Sequence, residues 1–257
     1  MITAGIDIGS MTTKGAIVAD GRILMTCVRF TGYNAEAAGE KVFRELLDAL
    51  DLEASRVDRV VATGYGRKAA AFAQATVTEI TCHAAGAHHL DPRVRSVIDI
   101  GGQDSKAIAL NPQGKVRDFA MNDKCAAGTG RFFEAMSRIF RMDLNEFSSL
   151  SLKANKIIPV TAQCSVFAES EVISLLARRN PPEDIAAGIQ MAVSKRCFTS
   201  LKRIGMRPHV TVTGGCAKSQ GLIKALTRII DMEVTPLPVD PQIIGALGAA
   251  VFASRRA

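Results

Sequence analysis

Short apolar runs separated by glycine and turn residues open the chain and predict three neighbouring strands. Residues 2–9 form an apolar run that ends in glycine, and residues 14–19 form a second run. Asp20-Gly21 follows directly, and this dipeptide between apolar runs is a strong signal for a two-residue hairpin turn. The pattern therefore predicts a strand, a turn, a strand, a hairpin turn and a third strand.

The same pattern returns later in the chain. The letters IDIG occupy residues 6–9 and again residues 98–101, which lie 92 positions further on. Another apolar run at 106–110, a turn at 111–114 and a third run at 116–121 follow the repeat, in the order of the first copy. Such internal similarity indicates one structural half that is built twice.

Apolar residues at helical spacing predict helices between and after the two copies. They are expected at residues 35–50, 130–140, 167–178, 182–204, 219–230 and 243–253, with short strands at 59–63 and 210–213. We therefore expect an α/β fold of two duplicated lobes. The N-terminal lobe is expected at residues 1–92, completed by a C-terminal helix at 242–257, and the second lobe at 93–241.

The composition of the 257 residues fits such a layered protein. Hydrophobic residues make up 47% of the chain, but aromatic residues make up only 5% and tryptophan is absent, so the core must consist largely of Ala, Val, Ile and Leu. No apolar run approaches the roughly 18 residues that suggest a membrane span, and the first residues lack the basic start of a signal peptide. We expect a cytoplasmic protein with no membrane partner.

The formal net charge of +7 leaves three interpretations open, namely a nucleic-acid partner, an acidic protein partner or no specific partner. The Lys and Arg residues are scattered, and no aromatic residues alternate with them as a base-stacking surface requires. We therefore expect no nucleic acid, and an acidic protein remains the best functional partner for this charge.

The first copy of the repeat carries polar groups suited to a phosphate. Asp7 stands at the end of the first predicted strand and could hold Mg²⁺ through water, because Mg²⁺ keeps several of its own waters. Turn N–H groups and four side chains beyond the glycine could surround phosphate oxygens; these are Ser10, Thr12, Thr13 and Lys14. The alternative is an ordinary hairpin with a capping aspartate.

Two later segments favour the phosphate interpretation. The run from Asp99 through Gly101 and Gly102 to Asp104 places a second carboxylate beside a second flexible turn, facing the same phosphates from the opposite lobe. Gly214 and Gly215 stand between a predicted strand and a predicted helix, where glycine lets the backbone approach a flat ring such as adenine. We expect a nucleotide cleft between the lobes.

In this order the three segments resemble the phosphate-1, phosphate-2 and adenosine motifs of the superfamily that holds actin, the Hsp70 chaperones, hexokinase and acetate kinase. The GALGAA segment at 245–250 resembles its final hinge segment. The resemblance implies an actin-like, ribonuclease H-like ATPase fold. Gln103 and Asp104 replace the Thr or Ser usual in relatives, so we expect one of them to position the water that attacks the γ-phosphate.

Two of the six cysteines stand where kinases of that superfamily need none. Cys125 and Cys164 each precede a predicted helix, and the partial positive charge of a helix N-terminus stabilises a thiolate and favours metal ligation. A [4Fe–4S] cluster takes four thiolates, so a two-fold dimer would supply the other two. The alternative is that both are ordinary buried cysteines. That role is assigned to the remaining four, namely Cys27, Cys82, Cys197 and Cys216, and a core role is assigned to His83.

The segments GIDIGS, ATGYGR, EITCHA, DIGGQD, MNDKCAAGTGRF, CSVFAESEVIS, VTGG and GALGAA, in this order, resemble the activase of 2-hydroxyacyl-CoA dehydratases and the related ATPase subunits of benzoyl-CoA reductase. The resemblance implies a homodimer with one bridging [4Fe–4S] cluster on Cys125 and Cys164, ATP with Mg²⁺, and reduced ferredoxin or flavodoxin as electron donor. An acyl-CoA dehydratase or reductase would be the partner enzyme. The cofactor-binding residues would include Gly128, Thr129 and Gly130.

Two readings from other classes remain open. A small-molecule kinase on the same fold would need a carboxylate base near an acceptor hydroxyl, and a non-enzymatic ATP-dependent switch would need neither cysteine. Within the resembling family, the compact length favours a separable dehydratase activase over a permanent reductase subunit.

Overall fold

A computed structural model describes residues 1–161 and 164–255. Its strands are β1 (Ile2–Ile8), β2 (Thr12–Ala19), β3 (Arg22–Phe30), β4 (Arg59–Thr63), β5 (Ala75–Thr76), β6 (Ser96–Ile100), β7 (Ser105–Leu110), β8 (Val116–Asn122) and β9 (Val210–Thr213). Its α-helices are α1 (Ala35–Ala49), α2 (Glu79–Leu90), α3 (Gly130–Ile139), α4 (Leu144–Leu152), α5 (Ser165–Ala177), α6 (Pro182–Arg203), α7 (Gln220–Ile230) and α8 (Ile244–Ser254).

The first compact unit comprises residues 1–97, 110–117 and 237–257. Its sheet has the order β3-β2-β1-β4-β5, with β2 antiparallel to both β1 and β3, and β4 parallel to β1. Asp20 and Gly21 have φ angles of 49° and 79°, the positive values that a tight hairpin of this kind requires. The predicted hairpin is therefore present.

Alternating residues of β1 and β2 cover the two faces of this sheet. Ile6, Ile8 and Ile17 pack with the apolar stripe of α1, whereas Ala16 and Val18 pack with α8. This alternation follows from the two-residue period of a strand. The sheet therefore lies between two helices, and the end of the chain is part of the first unit.

Glycines let α8 approach its neighbours closely. A side chain on Gly248 would overlap the carbonyl of Cys82 in α2, and one on Gly5 of β1 would overlap the backbone of α8 at Ala246. Helix α8 therefore packs closely against both α2 and β1. The small residues of the GALGAA segment serve this close packing.

The second compact unit comprises residues 98–109 and 118–236. Its sheet has the order β8-β7-β6-β9, the same relative order as β3-β2-β1-β4 in the first unit. Helices α3 to α7 contribute to its core, in which Phe132, Met136 and Phe147 are fully buried. The repeated sequence pattern thus corresponds to a repeated strand order.

The α/β actin-like fold class is confirmed. The predicted limits 1–92, 93–241 and 242–257 stay a prediction. Helix α4 was not predicted; it begins with a capping box in which Asp143 accepts from the Glu146 amide and Glu146 accepts from the Asp143 amide. Among the described residues, no helix has both the length and the apolar character needed to cross a membrane.

Candidate functional site

An ion pair marks the end of β1 in the first unit. Asp7 is 4% exposed, and its Oδ2 lies 3.2 Å from Nζ of Lys14 on β2. The two residues are cross-strand partners in the register of β1 and β2. The strand register alone therefore brings the predicted carboxylate and the predicted lysine together.

Glycines enclose the Asp7 carboxylate. Gly64, with φ of 87°, follows β4, and a Cβ there would overlap Asp7 Oδ1. A Cβ on Gly245 would lie 2.8 Å from Asp7 Oδ2 and 3.0 Å from Nε2 of His83. His83 is buried beside this carboxylate, so the core histidine of the sequence analysis is also a neighbour of the site.

The turn after β1 is closed by its own backbone. The Gly9 amide donates to the Thr12 carbonyl at 3.1 Å. Thr31 donates its hydroxyl to the Gly9 carbonyl at 2.7 Å and lies 3.0 Å from the Thr13 hydroxyl. The Thr13 side chain is fully buried, so its hydroxyl is engaged in holding the turn, whereas Ser10 and Thr12 are only partly buried.

The second unit repeats this arrangement at the end of β6. Asp99 is 3% exposed, and its Oδ2 lies 3.3 Å from Nζ of Lys106. The Gly101 amide donates to the Asp104 carbonyl at 3.0 Å, as Gly9 does in the first copy. Lys106 also pairs with the Asp104 carboxylate at 2.8 Å. Asp104 is thereby held beside the turn, and Gln103 is exposed on it.

The two copies are also equivalent at the strand beside the one that ends in aspartate, which is β4 in the first unit and β9 in the second. Gly214, with φ of 85°, occupies the position of Gly64, and a Cβ there would lie 2.8 Å from Asp99 Oδ1. Thr213 donates its hydroxyl to the same Oδ1 at 2.9 Å. Gly215 begins the short 3₁₀ segment Gly215–Lys218 that leads to α7. Both units thus present a buried aspartate that is paired with a lysine beside a glycine turn.

Two backbone hydrogen bonds join the turn after β6 to the start of α3. The amides of Gly130 and Arg131 donate to the carbonyls of Gly101 and Gly102, each at 2.9 Å. A Cβ on Gly130 would lie 3.2 Å from the Gly101 carbonyl oxygen, a tight contact, so glycine favours the approach. The segment that carries Cys125 is therefore attached directly to the predicted phosphate-binding turn.

The Cys125 segment is an ordered loop. Asn122 donates its side-chain amide to the carbonyls of Cys125 and Ala127, at 3.0 and 3.2 Å. Gly128 has φ of 95°, and the Thr129 hydroxyl donates to the Ala126 carbonyl at 2.6 Å. The hydroxyl of Thr129 therefore stabilises the loop, while the Cys125 side chain is exposed.

Cys164 occupies the N-cap position of α5, and its carbonyl accepts from the Ala168 amide at 2.9 Å. Thr161 donates its amide and hydroxyl to the Glu171 carboxylate, at 3.0 and 2.9 Å, which ties Thr161 to α5. Cys164 is exposed, and α5 packs against α3. Both cysteines thus lie on connected parts of the second unit. Residues 162 and 163 of the predicted motif lie outside the described residues.

The other four cysteines have thiols whose pKa is raised. Burial raises the pKa of Cys27 to about 11, helped by the Glu45 carboxylate, and burial raises the pKa of Cys82, Cys197 and Cys216 to about 12. Thiols with such values stay protonated at neutral pH, whereas metal ligation needs the thiolate. Their chemistry fits the core role that the sequence analysis assigned to them.

The thiols of Cys125 and Cys164 fit a [4Fe–4S] cluster only if two chains share that cluster. In residues 1–161 and 164–255, no three His, Cys, Asp or Glu side chains are grouped so that they could hold a metal ion. Two exposed thiols from each of two chains would complete the four that a [4Fe–4S] cluster takes.

Residues 4–253 match the model of the BadF/BadG/BcrA/BcrD ATPase family. The chain belongs to this ATPase family. It is 40% identical over 253 residues to a 2-hydroxyisocaproyl-CoA dehydratase activator of Clostridioides difficile, a match that covers 98% of this chain and 95% of the relative. The family resemblance stated from the motifs is thereby confirmed.

Two solved structures of dehydratase activators are also similar to this chain. Component A of the (R)-2-hydroxyglutaryl-CoA dehydratase of Acidaminococcus fermentans has a TM-score of 0.95 and 37% identity, with 100% of this chain and 98% of that chain covered. An activator of the 2-hydroxyisocaproyl-CoA dehydratase from Clostridium difficile, solved with bound ADPNP, has a TM-score of 0.91 and 41% identity, with 98% and 94% covered. A ROK-family glucokinase from Streptomyces griseus, at 16% identity and a TM-score of 0.59, shares the fold alone.

The sequence analysis did not identify three residues that lie at these sites, namely Gly64, Lys106 and Thr213. The duplication itself was the signal that could have found two of them. Lys106 follows Asp99 by seven positions, as Lys14 follows Asp7, and Gly64 follows a Thr at the end of a strand, as Gly214 does.

The burial of the cysteines predicts their reactivity. At pH 8 an alkylating agent should modify Cys125 and Cys164 within minutes in the metal-free folded protein, because both are exposed. The other four should react more slowly, since at that pH a thiol with a pKa of about 12 is only roughly one part in 10,000 thiolate, and Cys27, with a pKa of about 11, roughly one part in 1,000. Peptide mass spectrometry after a timed quench measures this order, and denatured protein, in which all six react, is the control. Equal modification of Cys197 and Cys164 in the folded chain would contradict the assignment.

Proposed function

We propose that this chain is an ATP-dependent reductive activase that uses ATP hydrolysis to drive single-electron transfer into a 2-hydroxyacyl-CoA dehydratase. Family membership and the named relatives support the ATPase and activator parts of this function. The observation that carries the coupling is the pair of backbone bonds from Gly130 and Arg131 to the turn at Gly101 and Gly102. This link gives a nucleotide bound at the turn a direct route to the Cys125 segment.

The Asp–Lys pairs and the glycine turns are proposed to bind Mg·ATP. Lys14 and Lys106 supply positive charge to the phosphates, and the turn amides supply donors. Asp7 and Asp99 orient water around Mg²⁺, which favours few direct protein ligands. Gly214 and Gly215 leave the backbone open to the adenosine, because neither carries a Cβ.

Gln103 and Asp104 are proposed to position the attacking water. Asp104 is held by the Lys106 ammonium at 2.8 Å, and Gln103 is exposed on the same turn. A water between an amide and a carboxylate is oriented for attack on a phosphoryl group, which needs positioning more than covalent help. Loss of the γ-phosphate then changes the contacts of the turn that holds α3.

Cys125 and Cys164 are proposed to hold a [4Fe–4S] cluster shared by two chains. When bound, such a cluster supplies a low-potential one-electron donor. The exposed Cys164 begins a helix on which Val166, Phe167 and Ile173 are 67%, 69% and 55% exposed. Exposed apolar side chains in a group mark an interaction surface, and we assign this one to the homodimer.

Reduced ferredoxin or flavodoxin is the proposed electron source, since its acidic surface complements the net charge of +7.

The cluster assignment predicts which cysteines retain iron. After anaerobic reconstitution the chain should be brown, with about four irons per dimer. Cys125→Ser and Cys164→Ser should each lose most of the iron and the visible absorbance, because each removes two of the four thiolates of the dimer. Cys27→Ser is the matched control, since Cys27 is a half-buried thiol bonded to Glu45, and it should keep its iron. A colourless wild-type preparation, or full iron in Cys125→Ser, would contradict the proposal.

The water-positioning assignment predicts a loss of turnover without a loss of binding. Gln103→Ala and Asp104→Ala should each lower the kcat of ATP hydrolysis at least about tenfold, as expected when a positioning group is removed. The Kd of a non-hydrolysable analogue should change much less. Gln113→Ala, an exposed glutamine on the β7–β8 turn, is the matched control. Wild-type kcat in both site variants would remove Gln103 and Asp104 from the mechanism.

A further inference from the structure

The two glycine turns carry opposite charges at equivalent positions. Gly9 and Gly101 are the last residues of the two IDIG segments. A Cβ on Gly9 would lie 2.9 Å from Nζ of Lys14, whereas a Cβ on Gly101 would lie 2.8 Å from Oδ1 of Asp104. An ammonium group therefore lies against the glycine of the first turn, and a carboxylate lies against the glycine of the second.

One sequence difference between the copies accounts for this contrast. Thr12 follows Asp7 by five positions, and Asp104 follows Asp99 by five positions. Thr12 is neutral and partly buried. Asp104 instead adds a carboxylate, and this carboxylate lies 2.8 Å from Nζ of Lys106. The second copy thus contains an acidic group that the first copy lacks.

The lysine of the second copy is enclosed more fully than that of the first. The Lys106 side chain is 2% exposed and pairs with Asp104 and, at 3.3 Å, with Asp99, whereas the Lys14 side chain is 14% exposed. Thr213 donates its hydroxyl to Asp99 at 2.9 Å, so this aspartate is itself fixed. The Asp104 side chain is 26% exposed. A ligand at the second turn therefore reaches the carboxylate of Asp104 more readily than the ammonium of Lys106.

The charges of the two turns suit different ligands. In the first copy the lysine and the aspartate balance each other, and the ammonium is the group beside the turn. In the second copy two carboxylates share one lysine, so a negative charge is left over, and a carboxylate is the group beside the turn. A phosphate oxygen is attracted to an ammonium and repelled by a carboxylate, whereas a water can donate a hydrogen bond to a carboxylate.

We propose that Lys106 is a positioning residue that holds Asp104 for the attacking water, and that Lys14 is the lysine that contacts the phosphates. This inference rests on the proposed ATPase function and divides it between the two turns. The positive charge of Lys106 reaches the phosphates through space, but its N–H groups are directed to the two carboxylates.

The hydrolysis step shows what each residue does. The water oxygen bonds to the γ-phosphorus, the bond from that phosphorus to the β,γ-bridging oxygen breaks, and the water proton passes to the phosphate that leaves with ADP. Asp104 accepts a hydrogen bond from the water before attack and so orients its oxygen. Lys106 touches neither the water nor the phosphates and acts through Asp104.

Methionine variants of the two lysines separate binding from turnover, because methionine is an unbranched side chain without charge. Lys14→Met should raise the Kd of a non-hydrolysable ATP analogue with Mg²⁺ at least about tenfold, since a phosphate contact is lost. Lys106→Met should leave that Kd within about threefold and lower the kcat of ATP hydrolysis at least about tenfold. Lys153→Met, at an exposed position just after α4, is the control and should change neither quantity.

A double-mutant cycle measures whether Lys106 acts through Asp104. The kcat is compared in wild type, Lys106→Met, Asp104→Ala and the double variant. In the Asp104→Ala background, Lys106→Met should change kcat less than about twofold, whereas independent effects would multiply to about 100-fold. Thermal unfolding verifies that each variant is folded. If Lys106→Met does not fold, Lys106→Arg takes its place under the same criterion, because its larger guanidinium keeps the charge and displaces the carboxylate.

Three results would each overturn the inference: an unchanged Kd in Lys14→Met, a Kd raised at least tenfold in Lys106→Met, or the same fold-change in kcat at position 106 with and without Asp104. The proposed function is tested separately in the same set. A wild type that neither binds the analogue nor hydrolyses ATP would refute the ATPase proposal itself. Wild-type kcat in Asp104→Ala would refute the water-positioning role of Asp104 and, with it, the role of Lys106.

Discussion

Two hydrogen bonds between backbone groups connect the parts of the second unit on which the proposed function depends. The carbonyls of Gly101 and Gly102 are the acceptors, the amides of Gly130 and Arg131 are the donors, and glycine at position 130 favours the approach. The first amides of a helix have no partner within the helix, so α3 meets that need with the turn after β6. A change at the turn consequently changes the support of the helix that follows Cys125.

The two units repeat one arrangement at the end of a strand. Each unit ends a strand with a buried aspartate, pairs it with a lysine seven residues later, and covers it with a glycine of positive φ. In the first unit the turn is held by the Thr31 side chain. In the second unit the turn is held by the start of α3, so the first turn is supported by a threonine side chain and the second is joined to the cysteine segment. This asymmetry fits a division between binding nucleotide and transmitting its state.

The sequence predicted most of the fold because its signals were local. The IDIG repeat, the Asp20-Gly21 hairpin and the apolar stripe of α1 each depend on neighbouring residues, and β4 and β9 have the predicted bounds. Helix α4 was missed because serines interrupt its apolar pattern, although Asp143 and Glu146 carry its capping signal. The link from Gly130 to Gly101 joins residues 29 positions apart through backbone atoms, and no side-chain pattern encodes such a bond. The sequence analysis assigned Cys197 and Cys216 a buried role, but the rise of their pKa to about 12 depends on how the fold surrounds each thiol.

Amide hydrogen exchange at Gly130 and Arg131 tests the proposed coupling most directly. The full chain is compared with ADP and with a non-hydrolysable ATP analogue, and the peptide from α4 at residues 144–152 serves as the reference. Our account predicts that the two amides exchange at different rates in the two nucleotide states, because their acceptors belong to the phosphate-binding turn, while the reference peptide does not change. Identical exchange of Gly130 and Arg131 with both nucleotides, with binding of each verified, would contradict it.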